Sequence, residues 1–122
     1  VGHIVTREVM HVGKFIMDIP LDDSIPPQYE VFLDWASVDQ IRDEIDSVVG
    51  ALAWVRESRE RVHEWIDAID NDDLTRAAKD ETPGGPLTVA HWLAITSVHT
   101  GVHIGRIQML RALIEGTRDR AC

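Results

Sequence analysis

His99 and His103 are the residues of this chain with the clearest chemical potential. They lie four apart in Leu87–Gly116, a stretch free of proline after Pro86 and closed by Gly116. That spacing predicts one long helix with both imidazoles on one face, a turn apart. At about 100° per residue the same face carries Trp92, Ile95, Thr96, Leu110 and Ile114. The imidazoles therefore fall in the middle of an apolar arc, where an unpartnered polar group costs roughly 1–3 kcal/mol. A shared divalent cation would meet that demand. So would a carbonyl or a water for each ring, and the spacing leaves both open.

The beginning of the chain offers the other chemical residues. Val5, Val9, Val12 and Ile16 recur at 4, 3 and 4 in residues 1–17, which predicts a helix of about 2–17 with a β-branched stripe. Such a helix depends on tertiary packing, because Val and Ile are weaker helix formers than Leu. His3, Glu8 and His11 are its polar candidates, and Pro20 marks its end. Residues 18–36 hold three of the five prolines and form a connection of the length often found in lids and site walls. Phe32 and Trp35 anchor it.

Ser37 and Gln40 match a capping box and open a predicted helix of about 38–70. Its stripe reads Ile41, Ile45, Val48, Leu52, Val55, Arg59, Val62, Ile66, Ile69, a coiled-coil-like seam. Arg59 stands where an apolar residue is expected. Either its stem packs while its head reaches solvent, or it points inward to hold an acidic substrate group or Glu8. Asp70, Asp72 and Asp73 mark a chain reversal. Pro83-Gly84-Gly85-Pro86 is a turn, and Thr88 is the expected N-cap of the last helix, about 88–115. That helix is apolar nearly all round, the pattern of a buried helix or one facing a partner. Gly101 and Gly105 in it are tolerable where a neighbouring backbone comes close. His63 and His91 read as structural or exposed, and Met10, Met17 and Met109 as core fillers more than haem ligands.

Three long helices without a strand define an all-α chain and an up-and-down helical bundle. The 122 residues suffice for one domain, 1–122. The formal charge of -9 argues against nucleic acid or an anionic membrane as partner. No stretch has the length of a membrane span. The single cysteine, Cys122, excludes an internal disulfide and makes the cytoplasm the expected location. Three long helices leave an apolar groove open, so a homodimer is expected. The chain opens at Val1 without Met and is at once helical, as if an upstream part were missing or the protein were a shortened member of its family.

Gly2-His3-Ile4 with Glu8 in one helix, and His99-x3-His103-Ile104-Gly105 followed by Leu110-Arg111 in the last, resemble the DinB/YfiT-like superfamily of four-helix bundles. The likeness extends to the Ser37-led helix and the Leu74 loop. It implies a chain that begins at the family's second helix. It also implies one divalent metal, nickel or zinc, on three histidines, which by position are His3, His99 and His103. His11 is a rival for His3, because His3 lies off the Val5–Ile16 stripe. Arg106 stands where many relatives carry His or Gln, and a cation beside a divalent ion is unfavourable unless a substrate carboxylate or thiolate lies between them.

Three neutral imidazoles with open positions form a catalytic type of site. The metal would lower the pKa of a bound water for hydrolysis or hold a thiol as thiolate. Branches of the family transfer groups to low-molecular-weight thiols such as bacillithiol, mycothiol or glutathione, which implies a hydrolase or thiol S-transferase acting on a small molecule. Glu8, Arg59 and Arg106 are the candidate catalytic residues. Glu8 lies about 140° round the helix from His3, so support of a ligand suits it better than proton transfer. Activity is expected to fall on acidification through about pH 6 as the imidazoles protonate. The alternative is a metal-free helical bundle that serves as a self-association or partner-binding module.

Overall fold

The computed structural model describes residues 1–33, 38–45 and 47–115. Among these, the architecture is the all-α bundle that the periodicity predicts. Helix α1 (Gly2–Glu8) buries Val5, and its continuation Val9–Ile16 buries Val9, Val12 and Ile16. The continuation is π-helical, with Met17 N donating to Val12 O five residues back at 2.9 Å; such wider turns concentrate at functional sites. Asp18 ends it in the left-handed region at φ 62°, a conformation that Asp tolerates better than most residues.

Pairings along α1 fix the topology. Glu8 meets Arg59, and an added Cβ on Gly13 would lie 2.8 Å from the Trp65 ring. Helix α1 and helix α3 (Val48–Asp67) therefore run in the same direction. The connection between them carries two 3-10 turns, Leu21–Asp23 and Pro27–Phe32, which send Ile25 and Tyr29 into the core. Tyr29 stacks on Trp54 at 4.6 Å. Helix α4 (Val89–Glu115) runs antiparallel to α1, with His103 beside His3 and Trp92 beside His11. The α1 helix thus lies between α3 and α4 and packs on both.

The predicted helix 38–70 is not continuous. It divides into α2 (Val38–Glu44) and α3, which Ser47 opens by accepting a hydrogen bond from Gly50 N at 3.2 Å. A serine hydroxyl competes with helix propagation in this way, a local choice that an unbroken apolar period conceals. The buried face of α3 is also rotated from the predicted seam. Ala51, Trp54, Val55, Ser58 and Val62 are buried, whereas Val48 and Leu52 are exposed and Ile66 marginally so. Trp54 and Trp65 offer more area to the core than Leu52 and Ile66, and they set the rotation. Ser37, Trp35, Gly116 and Cys122 lie outside the described residues.

After α3, Asp70 and Asp73 cap each other's backbone around the turn Asn71–Thr75. Two of the three acids that mark the chain reversal, Asp70 and Asp73, thus cap the N-terminus of this turn. Gly85, at φ 98°, makes the turn before α4. Thr88 then caps α4 by accepting from His91 N at 3.3 Å and also bonds the His91 ring, so His91 is structural.

Helix α4 corrects an expectation. Only Val89 and Thr96 are buried along its length, and residues 104–115 are exposed on every side. No atom comes within 4 Å of a Cβ added at Gly101 or Gly105, so close backbone approach does not explain these glycines. The three interior glycines should therefore respond oppositely to alanine. Gly13→Ala pushes against the Trp65 ring and should cost about 1–3 kcal/mol; Gly101→Ala and Gly105→Ala should each stabilise by about 0.5–1 kcal/mol through helix propensity. Urea midpoints of the three variants test the contrast, and a stabilised Gly13→Ala would refute it. No helix among the described residues is long and apolar enough to cross a membrane.

Candidate metal centre

His3, His99 and His103 converge where the start of α1 faces the middle of α4. One nitrogen from each ring lies within 4.8 Å of the others, and the ring centroids are 4.5–5.3 Å apart. Imidazoles bound to zinc at 2.0–2.1 Å hold their nitrogens about 3–3.5 Å apart. Side-chain movements of roughly 1 Å close the difference.

The surroundings fit a cation. His3 Nδ1 lies 2.7 Å from Phe32 O, and a carbonyl only accepts, so Nδ1 carries the proton and Nε2 the lone pair. This is the support that a metal-bound histidine commonly has on its other nitrogen. Phe32 reaches that position because Gly2 has no side chain; an added Cβ would sit 2.7 Å from its ring. Thr6, fully buried, also donates toward the Phe32 carbonyl at 3.2 Å. His99 Nδ1 is buried without a hydrogen-bond partner among the described residues, a polar atom whose demand a metal or a bonded water would meet. Burial and then the neighbouring imidazoles His103 and His3 lower the pKa of His99. Burial, His3 and Arg106 do the same for His103. Both rings are thus kept in the neutral form that binds metal.

His11, the rival ligand, is close but differently engaged. It is buried, its ring centroid is 6.0 Å from that of His99, and its Nδ1 lies 3.1 Å from Thr96 Oγ1. The Thr96 hydroxyl already donates to Trp92 O at 2.7 Å, so it accepts from His11. With Trp92 at 4.8 Å, His11 is locked into the wall behind the cluster. A cavity of about 530 Å³ opens onto the three histidines, with Trp92, Ile95 and Val102 as apolar lining and Arg7 and Arg106 as its cations. Leu110 and Ile114, on the same predicted arc, extend beyond it into solvent. Arg7 was not singled out by its type, although its place four residues after His3 put it on the same face. Its guanidinium donates to Leu33 O at 2.7 Å.

Glu8 and Arg59 are not part of this cluster. Glu8 is 5% exposed, and its Oε1 accepts from Thr100 Oγ1 at 2.8 Å and from Arg59 at 3.3 Å. Both line a separate cavity of about 190 Å³ between α3 and α4, with His63 at its edge. Arg59 combines the two readings: it pairs with Glu8, while much of its side chain reaches solvent. Removing a partner strands a buried charge at a cost of 3–5 kcal/mol when both members are buried. The Arg59 side chain is 44% exposed, so Arg59→Met should cost about 2 kcal/mol. Glu8→Gln in that background should restore part of the loss. A urea double-mutant cycle measures the coupling, and strict additivity would show that the pair is unimportant.

The fold and site define a helical bundle with a three-histidine cluster between its first and last helices. The sequence profile of the DinB superfamily matches residues 1–107, and the chain belongs to that superfamily. No curated protein and no solved structure matches the chain.

Proposed function

We propose that this protein is a metal-dependent enzyme that binds one divalent cation, nickel or zinc, through His3, His99 and His103. The observation that carries the reading is the convergence of these rings from opposite ends of the chain, with one buried imidazole nitrogen unsatisfied among the described residues. When bound, the metal would supply a Lewis acid that activates a water or a low-molecular-weight thiol. The chain's own contribution is to keep His99 and His103 neutral, to orient His3 through Phe32, and to wall the cavity with Trp92 and Ile95. The lone cysteine of the sequence suits a reducing compartment, the cytoplasm. Metal content of protein purified without added metal tests the reading. One equivalent of ion supports it; absence of any ion after loading with nickel or zinc overturns it.

Self-association through α4 is favoured by a separate observation. Nine large apolar residues between Ile95 and Ile114 are 39–84% exposed. Burying one such side chain fully contributes about 1.5–3 kcal/mol, so partial burial of this set offsets the cost of association, about 4–15 kcal/mol. A second copy is the occupant that brings an equal face, and a two-fold pair would cover both together. A dimer is expected by light scattering at micromolar concentration, with Leu113→Glu shifting it to monomer. A monomeric wild type would sink the idea.

A further inference from the structure

The described lining of the cavity over the three histidines is positively charged. The chain carries 21 acidic residues against 12 basic ones, yet none of the described acids lines this cavity. Arg7 and Arg106 do. Among the described arginines, Arg42, Arg59, Arg61, Arg76 and Arg111 are paired with carboxylates. Of the three that are not, Arg56 is exposed on α3 and the other two are Arg7 and Arg106.

Their placement follows from the helix geometry. Arg7 is one turn after His3 on α1, and Arg106 is one turn after His103 on α4. The helices are antiparallel, so one turn onward on each leads in opposite directions, and the two guanidinium groups stand on opposite sides of the histidine cluster. Arg7 is held by the Leu33 carbonyl, whereas Arg106 stands at the exposed rim. Two guanidinium groups beside a divalent cation, with no carboxylate among the described lining residues, repel one another unless an anion enters. Their planar forks match an oxyanion.

We propose that the substrate of this site is a small molecule bearing a carboxylate or a like oxyanion, which Arg106 captures at the rim and Arg7 orients, while its reacting atom faces the histidines. The inference rests on the metal-site reading above and deepens it by substrate class. Arg7 and Arg106 are its specificity-determining residues.

The test compares two thiols of similar size, mercaptoacetate, which carries a carboxylate, and 2-mercaptoethanol, which is neutral. Calorimetry on the nickel-loaded protein should show mercaptoacetate binding at least ten-fold more tightly. Arg106→Gln should bring the two within about two-fold while metal content stays at the wild-type value, and Arg106→Glu should reverse the preference. Arg7→Lys, which keeps the charge but not the fork, should weaken mercaptoacetate alone. Equal affinities in the wild type, or a preference that survives Arg106→Glu, would overturn the inference. Metal content is measured separately on every sample. If the wild type takes up no metal, the metal reading fails by itself, and the same titration of the metal-free protein decides the anion inference: a preference for mercaptoacetate that Arg106→Gln abolishes upholds it, and no preference ends it.

Discussion

Alanine at His3, His99 or His103 should each remove the bound ion, with affinity for nickel or zinc falling more than about 100-fold. The magnitude follows from scale: losing a group that merely supports a ligand costs 10–100-fold, and losing one of three ligands must cost more. His11→Asn should retain one equivalent of metal, because His11 is engaged by Thr96 and lies outside the cluster. This variant separates the two candidates for the third ligand. Acid should also release the ion, since imidazolium does not coordinate. His99 and His103 have lowered pKa values, so release should set in below the ordinary histidine value of about 6.5. Competition titration with a chromophoric chelator between pH 5 and 8 gives both results. Retention of metal by His99→Ala and His103→Ala together would remove the centre from consideration.

Much of this arrangement is legible in the sequence where the physics is local. The Val5–Ile16 stripe and the His99–His103 pair depend only on helical period, and both are observed. Thr88 and its cap are equally local. Three features are not. The break at Ser47 is decided by one hydroxyl against an apolar pattern that runs straight through it. The rotation of α3 is decided by two tryptophans competing with Leu52 and Ile66 for one core. The neighbourhood of His3 depends on Phe32, 29 residues away, and on the absence of a side chain at Gly2. That remote carbonyl engages His3 and Thr96 engages His11, contacts that periodicity alone does not supply.

Acidification should weaken the metal-free fold well before its carboxylates titrate, and His11 should account for a large share. Burial, then the nearby His99 and Arg7, push the His11 pKa down to about 4. In the unfolded chain it returns to about 6.5. Between these values the unfolded state binds the extra proton, so stability falls as pH drops. The contribution is complete above pH 6.5 and is lost on the way to pH 4. At about 1.4 kcal/mol per pH unit, the loss from His11 is about 2 kcal/mol by pH 5 and about 3 kcal/mol by pH 4. Asp80 acts in a different window. Burial opposes its charge, but hydrogen bonds from Thr82 and Leu87 N outweigh that and lower its pKa below the ordinary carboxylate value, so its contribution persists until pH falls below about 4. His99 and His103 are shifted in the same direction as His11, and some slope should remain without it. Urea unfolding of metal-free wild type and His11→Asn at pH 7.5, 6 and 5 separates these terms. The variant starts lower, having lost the ring's contacts with Trp92 and Thr96, but its stability should decline less steeply. Parallel pH dependences for the two proteins would show that His11 is not the buried acid sensor this packing makes it.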